Sequence, residues 1–463
     1  MRNITAPWDS GIAANETFDV TPYAIALTSA MMAREDSWLL PRKYKIAFSN
    51  SDLDTAFATV SDLGFIARIK DGVRGFKVYV AGGMGKHSQP GHILHDFIPD
   101  SDVFLTAETV KRLFSKHGNR QNRHVARLRF LWNTLGGERF KFLYHEEKER
   151  LISEGLTALS AHEIPNVAVS QLYSPLSQAS QQGFDLWSKR YTTPQKQPGS
   201  ASVKVPLLFG MLEANKALEI AEAVAPFGEN TIRFTLNQNM TLRNIPFEYL
   251  VNIYAVSQKT TTLSNSASVF GNAIACTGAS TCQLGICRSR GALNAVVNRL
   301  KASSIPLDDL SELQINISGC SNGCGRHLIA DLGFFGKMGE KDLHRYPVYA
   351  IVTGAIFDGN GNSRFAEKID EISAKDLPAL VEELALHYSA IKSAYVDFAS
   401  YMKATGCNLV QEICDRLRNI PSFDADGSYY RDWDEGREFS LDKTTPSQLS
   451  AGLFDQTEKR KGA

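Results

Sequence analysis

The residues with the clearest capacity for chemistry are four cysteines that fall in two tight pairs. Cys276 and Cys282 enclose five residues, and Cys320 and Cys324, further along the chain, enclose three. Each pair lies in glycine-rich sequence, where backbone N–H groups can approach the sulfur atoms. Structural zinc sites usually take cysteines two to four residues apart. The quartet therefore predicts an iron–sulfur cluster, with zinc as a second choice.

The remaining cysteines point to a cellular compartment rather than to a site. The chain has seven cysteines, an odd number that does not suit a disulfide framework. Cys287, Cys407 and Cys414 are predicted to be buried free thiols, the usual fate of an isolated cysteine. The first residues lack the apolar core of a secretion signal. Both observations favour a reducing cytoplasm.

Composition narrows the class of protein. The 463 residues suggest about three domains, and proportions of 43% hydrophobic and 22% charged residues are typical of a globular chain. Fifty Lys and Arg balance fifty Asp and Glu, which leaves no net charge to attract nucleic acid or an anionic membrane. No apolar run reaches the length of a membrane span. We therefore expect a soluble protein with neither nucleic acid nor a membrane as partner.

Hydrophobic periodicity predicts two α/β lobes of similar plan. The elements expected in the first lobe are strands at 41–48 and 75–80 and helices at 106–118, capped by Thr106, and at 122–135. The elements expected in the second lobe are strands at 313–318 and 346–354 and helices at 377–386 and 390–405. The second part of the chain thus repeats the first.

Between the lobes the sequence predicts a smaller βαβ unit. A stretch rich in Pro, Gly and Ser at 191–202 is typical of an interdomain linker, and a strand–helix–strand pattern follows it. The predicted divisions are a first lobe at 1–150, a helical and linker segment at 151–202, the βαβ unit at 203–260, a second lobe at 261–420 and a C-terminal tail at 421–463.

The cysteine motifs resemble those of a known family. Ala-Cys276-x5-Cys282 together with Gly-Cys320-Ser-Asn-Gly-Cys324-Gly-Arg is similar to the motif pair of the siroheme and 4Fe-4S nitrite and sulfite reductases. Further resemblance lies in Arg2-Asn-Ile-Thr, in Leu40-Pro-Arg-Lys-Tyr-Lys45, in 75–83 and in Asn237-Gln238-Asn239. The resemblance extends to about residue 420. It implies an α+β fold in which two homologous lobes surround the cofactors and 203–260 forms a ferredoxin-like half-domain.

The resemblance also implies a role for each matching residue. All four cysteines hold the 4Fe-4S cluster, and Cys324 also coordinates the siroheme iron. Arg2, Lys43 and Lys45 are the expected catalytic cations, and alternation along a strand would place both lysines on one side. The siroheme contacts implied are Arg42, Gln238, Asn239, Asn322 and Arg326. On composition alone, these lysines fit a solvated edge strand and the amides fit turns.

The predicted reaction is the six-electron reduction of a small oxyanion. In the family, sulfite-reducing members tend to carry Lys-x-Lys where nitrite-reducing members carry Lys-x-Asn, so Lys43-Tyr-Lys45 favours reduction of sulfite to sulfide. Thr277-Gly278 is similar to some nitrite-type members, which keeps reduction of nitrite to ammonia as the alternative. No flavin or nicotinamide motif is present. Electron transfer from a protein donor, such as ferredoxin or a flavoprotein, is therefore expected.

Two further features shape the prediction. The stretch 111–150 holds eleven Lys and Arg against four Glu, and it is interpreted as a solvated helix or as a docking surface for an acidic electron donor. The family segment that precedes Arg2-Asn-Ile-Thr, half of the first ferredoxin-like domain, is expected to be missing. An iron–sulfur electron-transfer protein without siroheme catalysis is therefore a second alternative.

Overall fold

A computed structural model describes residues 1–85, 87–156, 158–159, 161–162, 171–177 and 182–441. The described part of the chain forms two lobes and a smaller sheet domain, so the predicted α+β fold is confirmed. None of the helices in these ranges is long and apolar enough to cross a membrane.

The first lobe is a five-stranded sheet packed against helices. Its strands are β1 (Asn3–Thr5), β2 (Lys45–Ser49), β3 (Leu63–Lys70), β4 (Val73–Val80) and β5 (His92–Pro99), and its helices are α1 (Thr21–Met32), α2 (Val103–His117), α3 (Leu128–Leu135) and α4 (Gly137–Ser153). The first three strands are parallel, and the last two pair antiparallel. Buried Phe48, Phe65 and Phe76 pack ring against ring on this sheet and form the centre of the core.

The smaller domain is a four-stranded antiparallel sheet in the order β6-β7-β9-β8. Its elements are α5 (Phe184–Tyr191), β6 (Thr192–Pro194), β7 (Ser200–Val205), α6 (Ala214–Val224), β8 (Ile232–Phe234), β9 (Met240–Pro246) and α7 (Leu250–Thr260). The predicted linker at 191–202 is wrong, because its residues form the hairpin of β6 and β7. Pro198 and Gly199 occupy the turn between these strands, where the N–H of Gln195 donates to the carbonyl of Ser200.

The second lobe repeats the sheet of the first. Its elements are α8 (Ser268–Asn272), β10 (Ile274–Ala275), α9 (Ser289–Ala302), β11 (Ile315–Ser318), β12 (Leu332–Lys341), β13 (His344–Thr353), β14 (Glu367–Ser373), α10 (Leu377–Ile391), α11 (Phe398–Tyr401) and α12 (Cys407–Arg416). Strand order and direction match those of β1 to β5. The predicted duplication of the lobes is confirmed.

The repeat extends to single residues. Asp62, just before β3, accepts a hydrogen bond from the N–H of Lys45 over 2.9 Å. Asp331, just before β12, accepts one from the N–H of Gln314 over 2.8 Å. Gln314 and Asp331 each lie 269 positions after their counterparts Lys45 and Asp62, and the start of β12 follows the start of β3 by the same interval. Positions up to the start of β3 can therefore be assigned equivalents in the second lobe with this interval.

Several predicted boundaries differ from the structure. The strand expected at 41–48 begins at Lys45, and the helix expected at 122–135 begins at Leu128. The preceding Asn122 side chain accepts the N–H of His124 and starts a separate 3₁₀ turn. Thr106 lies inside α2 rather than at its cap.

The tail packs on the second lobe up to residue 441. The indole N–H of Trp433 donates to the carbonyl of Ala374 over 2.7 Å, and Asp432 accepts the N–H of Arg288 over 2.7 Å. The rest of the tail, 442–463, lies outside the described residues.

Candidate cofactor and substrate site

The four cysteines of the motif come together at the ends of two neighbouring strands. Cys276 directly follows β10, and Cys320 lies two residues after β11. Because β10 and β11 are parallel neighbours, their carboxyl ends lie side by side. Cys276, Cys282, Cys320 and Cys324 line one cavity of about 280 Å³, here called the cluster cavity.

Glycines let the two cysteine segments approach each other closely. A Cβ atom on Gly319 would lie 2.6 Å from the Cα of Gly278, so no side chain fits between these segments. The N–H of Gly319 donates to Sγ of Cys276 over 3.1 Å, and the amide of Asn322 donates to Sγ of Cys320 over 3.4 Å. Hydrogen bonds of this kind stabilise thiolates that carry an iron–sulfur cluster.

The thiols suit a polynuclear cluster better than a single ion. Among the described residues, no three His, Cys, Asp or Glu side chains converge on a point that would hold one metal ion. A zinc ion needs its sulfur ligands about 2.3 Å from one centre, whereas these thiols are spread around a cavity. Burial raises the pKa of Cys324, and neighbouring Cys276 and Cys320 raise it further. A cationic cluster would reverse this effect by stabilising thiolates.

A larger cavity of about 400 Å³, the cofactor cavity, adjoins the cluster cavity between the two lobes. Both cavities are lined by Lys43, Met84, Arg127, Asn322 and Cys324. Cys324 thus stands where the two spaces meet, and one sulfur atom can face both.

The cofactor cavity is strongly cationic. Lys43, Lys45, Arg127 and Arg326 line it, and no carboxylate occurs among its described lining residues. Burial lowers the pKa of both lysines, and the next largest contribution is repulsion from Arg2 on Lys43 and from Arg127 on Lys45. A bound anion relieves such repulsion. The donor set therefore fits a cofactor with several carboxylates and an oxyanion substrate.

The residues of the predicted substrate strand divide between the two cavities. Lys43 and Lys45 both line the cofactor cavity, although Lys43 lies before the start of β2. Arg42 lines the cluster cavity instead. Arg2 lines neither; its backbone N–H donates to the carbonyl of Tyr44 over 2.9 Å, and its charge acts on Lys43 from nearby.

The predicted siroheme contacts from the smaller domain and the cysteine loop are also separated. Gln238 lines the cofactor cavity and donates to the carbonyl of Ala275 over 3.2 Å. Asn239 lies outside both cavities: it accepts the N–H of Leu207 over 2.9 Å and is 2% exposed. Asn239 therefore holds its own loop in place and does not face the predicted cofactor.

Arg326 connects all three parts of the molecule. Its guanidinium donates to the carbonyl of Leu236 over 2.7 Å and lies 4.7 Å from the ring centre of Phe57. Burial lowers the pKa of Arg326 to about 10. This side chain therefore brings positive charge into the cofactor cavity from the second lobe.

Sequence analysis missed two arginines, which it assigned to a solvated basic helix. Arg127 forms two hydrogen bonds to buried Asp62, over 2.8 and 3.1 Å, and lines both cavities. Arg129 lines the cluster cavity, and burial lowers its pKa to about 10. A Cβ atom on Gly83 would lie 2.9 Å from Arg129 and 3.0 Å from Arg127. The run of glycines at 82–85 was the available indication that something approaches this backbone.

Comparison with known proteins gives the same class of protein. Residues 1–151 match the nitrite and sulphite reductase 4Fe-4S domain, and residues 193–259 match the nitrite/sulfite reductase ferredoxin-like half domain. The four cysteines lie in the second lobe, beyond both matched segments.

Three relatives and one solved structure illustrate the similarity. The ferredoxin–nitrite reductase of Synechococcus elongatus is 27% identical over 83% of this chain and 72% of its own length. The assimilatory ferredoxin-dependent nitrite reductase of Haloferax mediterranei is 26% identical over 90% of this chain and 70% of its own length. The sulfite reductase [NADPH] hemoprotein beta-component of Methylobacterium sp. is 27% identical over 76% of this chain but only 55% of its own length. The Mycobacterium tuberculosis NirA protein shares the fold, with a TM-score of 0.69 and 21% identity over 88% of this chain and 71% of its own.

Fold and site together define an iron–sulfur oxidoreductase built from two like lobes. Residues 1–151 and 193–259 carry two domains of the nitrite and sulfite reductase family, and the relatives similar to the chain are nitrite and sulfite reductases. The predicted cofactors, siroheme and a 4Fe-4S cluster, are those of this family, and the thiol quartet and the cationic cavity beside it fit both groups.

Proposed function

We propose that the protein reduces sulfite to sulfide in the cofactor cavity, with electrons supplied through the cluster cavity. The observation that carries this proposal is the position of Lys43 and Lys45, which share one cavity with Cys324. Sulfite carries more negative charge than nitrite near neutral pH. Two ammonium groups therefore match it better than the lysine and asparagine of the alternative pattern.

In this proposal the four cysteines would hold the cluster, and Cys324, which lines both cavities, would also face the siroheme. Siroheme bound beside Cys324 would supply an iron centre for reduction of the substrate. Arg127 and Arg326 carry fixed charge suited to the carboxylates of the cofactor. The pair of hydrogen bonds to Asp62 sets the orientation of Arg127.

The two lysines act on the substrate oxygens. Reduction breaks three S–O bonds, and each oxygen leaves as water after two protons and two electrons have been taken up. Lys43 and Lys45 donate hydrogen bonds to these oxygens and stabilise the negative charge that develops as each bond breaks. Proton transfer along water molecules ordered by the two ammonium groups completes each step.

Nitrite reduction to ammonia is the second candidate, and one observation favours it. The two relatives of which this chain covers 72% and 70% are named nitrite reductases, whereas it covers only 55% of the sulfite reductase from Methylobacterium sp.. Assays with electrochemically reduced methyl viologen compare the two substrates without the sulfite that dithionite would add. A higher kcat/KM for sulfite supports the proposal, and a higher value for nitrite refutes it.

An absorption spectrum separates both reductase functions from the second alternative. The purified protein should show siroheme bands together with cluster absorption. A cluster spectrum without siroheme bands would instead support an iron–sulfur electron-transfer protein.

We further infer an acidic protein as electron donor. Arg42, Arg123 and His124 line the cluster cavity and are exposed to solvent. Leu284 lines the same cavity and is 71% exposed. An apolar residue beside exposed arginines suits brief docking of a negatively charged partner, such as ferredoxin or a flavoprotein, next to the cluster.

A further inference from the structure

A third cavity, of about 350 Å³, lies where the internal repeat predicts a copy of the cofactor cavity. Gln314, Thr55 and Phe57 line it. Their counterparts 269 positions away in the other lobe are Lys45, Cys324 and Arg326, all of which line the cofactor cavity. We call this space the counterpart cavity.

The counterpart cavity lacks the cysteines and most of the cations that characterise the cofactor site. The positions equivalent to Cys276, Cys320 and Cys324 are occupied by Pro7, Ser51 and Thr55, so no thiolate is available for a cluster. Gln314 replaces a lysine and Phe57 replaces an arginine, so the charge that suits a polycarboxylate is also gone. This cavity therefore takes neither of the family cofactors.

The lining of the counterpart cavity instead combines apolar walls with one cation. The walls are largely apolar and include Pro7, Trp8, Leu53, Phe57 and Leu236. Of the described lining residues, Lys204 is the one lysine or arginine. An apolar cavity with a single convergent charge is typical of a site for a small organic ligand.

The one carboxylate in the lining is already engaged. Asp54 is fully buried and accepts hydrogen bonds from Ser49, from the N–H of Ala58, and from both the N–H and the hydroxyl of Thr59. These contacts, 2.6 to 3.0 Å long, occupy both of its oxygens. The charge that a ligand would meet is therefore that of Lys204.

Lys204 reaches the counterpart cavity from β7 of the smaller domain. Its ammonium donates to the side chain of Asn272. Burial lowers the pKa of Lys204 to about 8, and Glu312 acts in the opposite direction, so the amine is mostly protonated at neutral pH. An ammonium group has three N–H donors, which allows a ligand anion to bind beside Asn272.

We propose that the counterpart cavity binds a compact aromatic monocarboxylate, with its rings against Trp8, Leu53 and Phe57 and its carboxylate on Lys204. The ring of Phe57 forms part of the wall shared with the cofactor cavity and lies under the guanidinium of Arg326. A ligand that contacts Phe57 therefore acts on the cofactor cavity through Arg326.

Calorimetric titration of the purified holoenzyme with 2-naphthoate at pH 7 tests the proposal. We expect one saturable site per chain. The Lys204→Gln variant should bind about tenfold more weakly or worse, and Lys204→Arg should stay within about threefold of the parent. Uncharged 2-naphthol, which has the same rings, should also bind at least about tenfold more weakly.

A second variant keeps the test valid where Lys204→Gln fails to fold. Thr55 is exposed at the edge of the counterpart cavity, so Thr55→Trp should fold and fill it, abolishing the heat signal. Binding of 2-naphthoate should also shift the siroheme absorption, and this shift should be absent in Thr55→Trp. Such a result would support an effect of the ligand on the cofactor cavity through Phe57. Absence of saturable binding, or equal affinity in parent and Thr55→Trp, would overturn the proposal.

Discussion

At the scale of single residues, position relative to Cys324 separates groups that look alike in the sequence. Arg42, Lys43 and Lys45 are near neighbours, yet Arg42 lines the cluster cavity, Lys45 the cofactor cavity, and Lys43 both. Arg42 and Lys43 are exposed and Lys45 is half-buried, so the charge of Lys45 acts more strongly on a bound anion than it would in water. Single substitutions should therefore have large and distinct effects.

The first prediction concerns substrate choice at Lys45. Lys45→Asn should lower kcat/KM for sulfite by about 10²- to 10³-fold, because one positioned donor to a charged intermediate is lost. The loss for nitrite should be smaller, so that the ratio moves towards nitrite. Lys45→Arg is the matched control, since it keeps the charge and should lose less. An unchanged ratio in Lys45→Asn would show that Lys45 does not discriminate between these oxyanions.

The second prediction concerns the space that Gly83 leaves for two arginines. Gly83→Ala would place a methyl group 2.9 Å from Arg129 and 3.0 Å from Arg127. These guanidinium groups must then move, and we expect a lower siroheme content with an unchanged cluster. Siroheme absorbance and acid-labile sulfide per chain measure the two separately. Gly436→Ala, where a Cβ meets open space, is the control and should leave both values unchanged.

At the scale of elements, each lobe anchors its central parallel strands with an aspartate, which is buried in the first lobe and half-buried in the second. Asp62 and Asp331 precede β3 and β12, and each accepts an N–H from the neighbouring chain segment. In the first lobe Arg127 neutralises the carboxylate, whereas Asp331 forms no ion pair with a described residue. Burial raises the pKa of Asp331 to about 6.

The third prediction follows from that raised pKa. Folding favours the protonated form of Asp331, so its contribution to stability is present below pH 4 and is lost as the pH rises to about 6. The loss amounts to at most about 3 kcal/mol. Asp331→Asn should therefore gain stability relative to the parent between pH 4 and 7, as measured by urea unfolding at several pH values.

A carboxylate with the opposite shift provides the control. Three backbone N–H groups and the amide of Asn362 hold the pKa of Asp358 below its usual value, the side-chain bond contributing most. Its stabilisation is lost as the pH falls, so Asp358→Ala should be most destabilised near neutral pH. A pH-independent difference between Asp331→Asn and the parent would contradict the prediction for Asp331.

At the scale of the whole molecule, zero net charge conceals a strongly uneven distribution. Cations collect around the two adjoining cavities, where Arg42, Arg123, Arg127 and Arg129 line the cluster cavity. No carboxylate occurs among the described lining residues of either cavity, and beside them buried Asp62 pairs with Arg127. Other carboxylates lie in surface ion pairs such as that of Glu383 with Arg416. The field at the mouth of the cluster cavity can therefore steer an acidic partner although the chain is neutral overall.

The fourth prediction is that salt slows the reaction with a protein electron donor but not the reaction with a small chemical reductant. Raising the ionic strength from about 0.05 to 0.3 M should lower the rate with reduced ferredoxin several-fold and leave the rate with reduced methyl viologen nearly unchanged. Arg123→Glu should reproduce the loss at low salt. Arg416→Glu, on α12, reverses an exposed charge elsewhere and serves as control. Equal salt dependence with both donors would rule out electrostatic docking.

The cysteine quartet, the duplicated lobes and the βαβ pattern were all predictable from the sequence. Cysteine chemistry depends on residue type and short spacing, both visible along the chain, and strand patterns depend on the alternation of buried and exposed positions. The error at 191–202 has a local cause, because Pro and Gly mark a tight hairpin turn as readily as a linker.

The cavities could not be predicted in the same way, because they form between segments that are distant in sequence. Arg127 and Arg129 belong to a basic stretch that looks solvated until Gly83 and Asp62 are brought beside it. Gln238 and Asn239 are adjacent, yet one faces the cofactor cavity and the other is held by Leu207. Residue types thus indicate the kind of chemistry available to this chain, while long-range packing, which sets burial and charge around each group, determines where that chemistry takes place.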